Sequence, residues 1–251
     1  MEVALYPFEY MNITQRHDEG NHLKHWYPTP NPLYSDKPWD EACRDSGRSY
    51  FVAFNEWKIV EKRGTQSGGY SVRLETTKKL KIPVMKDVVI LEMTLTHLNY
   101  DDYSKLKVGQ IIKKGQKLIR EGTSGEASGN HFHCTINTGL YSGFYRNSNG
   151  KYVFAYKKSL LPDQAFYVDT TKTQIINAKK YKFIGVNYSK GMTSDEVANI
   201  DDFIATKVRG NYYGDYTVET IKVFQQKENL KVTGNVNLET FEKLLEKGAK
   251  L

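Results

Sequence analysis

The stretch EGTSGEASGNHFHCTINTG, residues 121–139, places His131 and His133 on either side of Phe132, directly behind a run of small residues. In a strand, side chains two apart point to the same face, so these imidazoles stand together while Phe132 and Cys134 face the opposite, core side. Paired imidazoles are donors that a zinc ion takes at about 2.0–2.1 Å, and a catalytic site with three protein ligands keeps a fourth position for water. The same spacing also fits a plain polar strand face. Of the other histidines, His97 closes an apolar run in MTLTHLNYDD, His22 and His25 lie three apart in GNHLKHWY, and His17 completes the six. Neither cysteine, Cys43 nor Cys134, belongs to a metal-binding CxxC pair. In this context both are expected as reduced thiols.

The elements that must carry these side chains differ along the chain. From about residue 48 to residue 137, segments such as GYSVRLETT, DVVILEMTLTHLN and HFHCTIN alternate apolar and polar residues between glycine-containing turns, which predicts an antiparallel sheet or small barrel. In LKVGQIIKKGQKLIREG, Gly109 and Gly115 are expected at turn positions with positive φ. Biotinyl and lipoyl carriers use similar hairpins, but they present a lysine between methionines, and VMKDV at residues 84–88 is the nearest approach. The first 47 residues carry four of the seven prolines within a short stretch and are expected to form an irregular loop. A long ordered loop in a compact domain is usually functional.

Beyond about residue 185 the period becomes helical. Thr193 and Glu196 suggest a capping box ahead of Val197, Ile200, Ile204 and Val208 on one face. Val218, Ile221, Phe224 and Gln225 predict a second helix, and Leu238, Phe241, Leu244 and Leu245 a third with Asn237 as its N-cap. The division expected is a body over 1–184, a linker over 185–191 and a three-helix domain over 192–251. The fold class is α+β: a mainly antiparallel β domain with a groove, plus a small all-α domain.

A net charge of +7 in 251 residues favours anionic partners, whether nucleic acid, membrane headgroups or cell-wall polymers. Lysines spread in pairs rather than gathered in one arm argue against nucleic acid. No run approaches the roughly 18–20 apolar residues of a spanning helix, so membrane insertion is not expected. The start, MEVALYPFEYMNITQ, has no signal-peptide pattern, so synthesis in the cytoplasm without export by that route is expected.

Taken in order, THLN, LKVGQIIKKGQKLIREG and GTSGEASGNHFH resemble the motif series of the lysostaphin-type zinc metalloendopeptidases, which cut peptide bonds in bacterial peptidoglycan. The resemblance implies Zn²⁺ held by His22 in GNH, Asp40 in PWDEA and His133, with His97 and His131 as the catalytic pair. His25 competes with His22, and Asp45 and Asp36 compete with Asp40, because the proline-rich loop separates the histidine and aspartate more widely than the family usually does. The C-terminal YYGDYTVETIKVFQQKENLKVTGNVNLETFEKLLEKG resembles the three-helix peptidoglycan-binding module of wall hydrolases. Together they imply an endolysin of phage type, released to act on the cell wall; a monomer is the default expectation, since neither resemblance specifies the oligomeric state. The alternatives are a wall-binding protein with a degenerate site, or an amidase activator.

Overall fold

The computed structural model describes residues 1–25, 37–42, 50–65, 69–138, 141–146, 152–156, 159–204 and 210–251. The body runs β1 (Tyr10–Gln15), α1 (Gly20–His25), β2 (Trp39–Glu41), β3 (Tyr50–Val52), β4 (Trp57–Thr65), β5 (Gly69–Thr76) and β6 (Glu92–Thr96). It continues through α2 (Tyr100–Tyr103), β7 (Ile111–Ile112), β8 (Lys117–Arg120), β9 (Phe132–Asn137), β10 (Tyr141–Arg146), β11 (Tyr152–Tyr156), β12 (Ser159–Leu160), α3 (Pro162–Ala165) and β13 (Gln174–Asn177). Helices α4 (Asp195–Ile204), α5 (Asp215–Lys227) and α6 (Leu238–Glu246) follow. The class is α+β, mainly antiparallel. Among the described residues no helix is long and apolar enough to cross a membrane.

The main sheet has the order β13-β1-β2-β9-β6-β5-β4-β7, with β12 also on β9. Among the described strands of this sheet only β1 and β13 pair in parallel. Strand β9 shows why alternation matters here: Phe132, Cys134 and Ile136 are fully buried in the core, and His133, Thr135 and Asn137 fall on the other face. The Cys134 thiol is pushed up by its burial, while Cys43 lies outside the described residues. Gly109 and Gly115 take φ of 88° and 87°, as their turns require.

The first 47 residues are not an irregular loop throughout. Val3, Ala4, Leu5, Tyr6, Phe8, Met11 and Ile13 are buried, β1 lies inside the sheet, and β2 is inserted between β1 and β9. Prolines dominate the composition of this region, but the apolar residues on either side of them supply core and ladder. Residues 26–36 and 43–49, with Asp36 and Asp45, lie outside the described residues.

A second apolar cluster joins both parts of the chain. Val3, Leu5, Val52, Phe54 and Tyr167 of the body pack with Val186, Tyr188, Val197, Ile200, Tyr213, Ile221, Val236, Phe241, Leu244, Leu245 and Ala249. Residues 185–191 are bonded on both sides, through a Val168–Gly185 bridge and a Tyr188–Val236 bridge. The Val3 amide donates to Glu242 Oε1 at 2.9 Å. Over the described residues the helices follow the expected apolar periods, Val208 lying outside them, with Asn237 accepting from the Thr240 amide as the N-cap of α6. At α4 the cap is Ser194, whose hydroxyl accepts from the Val197 amide at 3.2 Å. Thr193 instead bridges to Tyr212, so the capping position lies one residue later than the Thr-x-x-Glu pattern indicated.

Candidate metal centre

Strand β9 gathers the polar side chains. His133 lies directly opposite Asp40 of β2 on one side and Thr96 of β6 on the other. His97 follows Thr96 at the end of β6, and His131 immediately precedes β9, in a bridge to Gly122. His22 comes from α1, just after β1, whose ladder with β2 brings that helix to the Asp40 side. Residues far apart in sequence therefore converge because β2 is threaded between β1 and β9.

Three atoms form a nearly equilateral triangle. His22 Nε2 and Asp40 Oδ1 are 3.2 Å apart, His133 Nδ1 and Asp40 Oδ1 are 3.2 Å apart, and His22 Nε2 and His133 Nδ1 are 3.2 Å apart. The other nitrogen of His22, Nδ1, lies 2.8 Å from the Arg16 carbonyl. A carbonyl only accepts, so Nδ1 carries the proton and Nε2 presents a lone pair to the triangle. His22 is 2% and His133 8% exposed. Burial raises the Asp40 carboxyl, but the adjoining His133 and His22 rings outweigh it and hold the group well below the usual carboxylate range. Burial lowers His133, with Asp40 opposing that shift. The triangle therefore carries an ionised carboxylate and, in His133, an imidazole disposed to stay neutral, the states in which these groups bind a metal.

These donors fit zinc. Ligands held tetrahedrally at about 2.0–2.1 Å lie about 3.3 Å from one another, close to the edges found here. Among the described residues this is the one group of three such side chains whose donor atoms lie together. His25 belongs to α1, but its side chain, like Asp36 and Asp45, is outside what the structure describes.

His97 and His131 stand at the rim. Their rings are 4.7 Å apart, and His97 lies 5.9 Å from the His133 ring, centroid to centroid. His97 Nδ1 is 2.8 Å from the Ser124 carbonyl, and His131 Nδ1 is 2.8 Å from the Gly129 carbonyl. Both rings are thus fixed as Nδ1–H tautomers with a basic Nε2. His131 Nε2 lies 3.9 Å from Asp40 Oδ1. Burial, reinforced by neighbouring His133, lowers His97 to about 4.

Beneath the triangle lies a group that the sequence patterns did not single out. Glu41, beside Asp40, is fully buried. One oxygen accepts from the Asn12 amide at 2.6 Å and the other from the Tyr6 hydroxyl. Burial pushes its carboxyl up to about 8, against the opposing pull of Tyr6 and Asn12. Glu41 ties β2 to the core one residue from Asp40. An acidic residue in a proline-rich stretch carries no periodic signal that it points inward, so only the strand pairing identifies it.

Comparisons with known proteins add the following. Residues 202–244 match the family described as "Putative peptidoglycan binding domain". No curated protein sequence matches the chain significantly. Among solved structures, a zinc-containing peptidase from Vibrio cholerae is 18% identical, with TM-score 0.33, over 61% of this chain and 39% of that one. This chain thus spans well under half of that protein. The catalytic domain of lysostaphin from Staphylococcus simulans is 20% identical, with TM-score 0.31, over 55% of this chain and 80% of that domain. The catalytic domain of the prophage-encoded protein EnpA from Enterococcus faecalis is 21% identical, with TM-score 0.30, over 50% of this chain and 82% of that domain.

Proposed function

We propose that this chain is a zinc-dependent endopeptidase that hydrolyses peptide bonds in the stem or cross-bridge of bacterial peptidoglycan, in the manner of a phage endolysin. The observation that carries the reading is the 3.2 Å triangle of His22 Nε2, Asp40 Oδ1 and His133 Nδ1, with two backbone-anchored histidines at its rim. The family match over residues 202–244 supports the wall as the target. In this reading residues 1–184 cut and residues 192–251 bind.

His22, Asp40 and His133 would hold the ion. Zinc bound there would supply a Lewis acid for the scissile carbonyl and make water a nucleophile near neutral pH. The remaining work falls to His97 and His131. Each has a free basic Nε2, because its Nδ1–H is committed to a backbone carbonyl. One takes the proton from the attacking water and, as imidazolium, returns it to the departing amine nitrogen. The other, when protonated on Nε2 as well, donates to the oxygen on which negative charge grows as the carbonyl is attacked. Burial of His97 favours the neutral form that a base requires. A net charge of +7 draws the protein to anionic walls, and joining the binding segment to the body raises the site's effective concentration at an insoluble polymer.

Zymography on purified cell walls, with and without a strong chelator, tests this. Clearing that chelator abolishes and added Zn²⁺ restores is the expected result. Equal clearing in chelator overturns the zinc mechanism, and absence of clearing under all conditions favours a wall-binding protein without peptidase activity.

A further inference from the structure

Directly beyond His97 the chain builds an aromatic surface that the mechanism does not use. Tyr70 of β5 stacks on Tyr103 of α2 with centroids 4.8 Å apart and planes at 29°. It also meets Tyr100 at 5.1 Å and 41°. Tyr103 is held from below: its hydroxyl donates to the Arg63 carbonyl at 3.1 Å, and Lys62 Nζ lies 4.4 Å from its ring centroid. Tyr100, the outermost ring, is 55% exposed.

A single helical turn of four residues does not hold its shape unaided, yet α2 is fixed at several points. Asn99 caps it by accepting from the Asp102 amide, and Asp102 takes a two-point ion pair from Arg120 at 2.7 and 3.1 Å. The turn leading into it is equally constrained. His97 sits at φ 63°, a left-handed conformation that a histidine adopts at a cost. A Cβ on Gly122 would come within 2.5 Å of the Asn99 nitrogen, so only glycine allows this close approach. The Leu98 amide donates to the Tyr70 carbonyl at 3.1 Å, and the Tyr70 amide donates to Ser124 Oγ at 2.9 Å. Ser124 is the residue whose carbonyl orients His97. The catalytic-pair histidine and the exposed ring therefore belong to one braced unit.

We infer that Tyr100, packed against Tyr70, which itself stacks on Tyr103, is a binding platform for the N-acetylated sugar rings of the glycan strand that carries the peptide to be cut. This rests on the peptidoglycan reading above. A tyrosine face is electron-rich and flat, and it complements the slightly positive C–H face of a pyranose, while the phenol rim can bond sugar hydroxyls. A ring already locked in place loses little conformational entropy when a ligand covers it. The platform begins three residues from His97, within about 11 Å along the chain, close enough for a glycan resting on it to present its peptide beside the triangle.

The test is binding of peptide-free, N-acetylated glycan strands to the full chain, wild type against Tyr100→Ala and Tyr100→Phe, followed by NMR or calorimetry with chelator present so that no hydrolysis intervenes. The expected result is a weakening of about tenfold or more for the alanine variant, equivalent to about 1.4 kcal/mol, with near wild-type binding for phenylalanine. No binding by the wild type, or equal binding by the alanine variant, overturns the platform. Binding of stem peptide but not glycan, lost in the alanine variant, also overturns it by assigning the surface to peptide. If wild-type protein never cleaves walls yet Tyr100→Ala still loses glycan, the platform stands and the endopeptidase reading falls.

Discussion

Removing residues 185–251 will destabilise the body rather than merely release a tether. Val3, Leu5, Val52, Phe54 and Tyr167 are buried in the cluster shared with Val186, Tyr188 and helices α4, α5 and α6. Fully exposing five such side chains costs roughly 8–15 kcal/mol, at about 1.5–3 kcal/mol each. The body itself covers part of each, so about half of that sum is a reasonable expectation. The Val3–Glu242 hydrogen bond and the pairing of the N-terminal amine with Glu246 are lost as well. A loss of about 4–8 kcal/mol is a large share of a typical domain's stability. For a chain of this size it lowers Tm by at least about 8 °C, at roughly 2–4 °C per kcal/mol. Calorimetry of the full chain and of a 1–184 fragment measures this directly. The full chain should show one transition, and the fragment should melt far lower or fail to fold. A fragment melting within about 3 °C of the full chain would refute the shared core.

Other outcomes follow from individual contacts. Glu41 is raised from 4.5 to about 8 by burial, so the folded state holds this proton more tightly; that contribution is complete below the unfolded value and is lost as pH rises through about 8, with an upper limit of about 5 kcal/mol. Glu41→Gln keeps the neutral shape, and its Tm should fall less than wild type's between pH 6 and 8.5; parallel curves would show the carboxyl is already ionised. His97→Ala and His131→Ala should each lower kcat on cell walls by about 10²–10⁴ with bound zinc unchanged by elemental analysis, since neither is in the triangle. Gln225 is fully buried, accepts from the Thr233 and Gly234 amides, and its two N–H groups are shared among Thr233 Oγ1, the Asn235 carbonyl and Thr240 Oγ1. Gln225→Ala strands these partners, and urea unfolding should show a loss of at least about 1–3 kcal/mol; an unchanged midpoint would mean water replaces the amide.

What could be read from the chain alone was whatever is encoded locally. Alternation across 132–137 placed Phe132 and Cys134 inward, and the i, i+3, i+4 spacing of Ile221, Phe224 and Gln225 and of Phe241, Leu244 and Leu245 announced helices before any packing was known. Strand β2 had no such signal. Three residues cannot show a period, and Trp39–Glu41 is a strand only because β1 and β9 accept it on either side. The buried state of Glu41 and the left-handed turn at His97 are likewise products of tertiary contact. The N-terminal residues misled through composition: prolines 28, 30, 32 and 38 overshadow the apolar run Val3–Phe8 that enters the core. The meeting of His22, Asp40 and His133 spans more than a hundred residues of chain, and no local pattern encodes a distance of 3.2 Å.

The central claim is that this triangle holds zinc, and the zinc content of purified protein tests it most directly. Elemental analysis of the wild type should find one zinc per chain, with the metal lost from Asp40→Ala at unchanged circular dichroism and kept by Asp36→Ala and Asp45→Ala. A wild-type chain that takes up no zinc, or an Asp40→Ala chain that keeps it fully, would contradict the account.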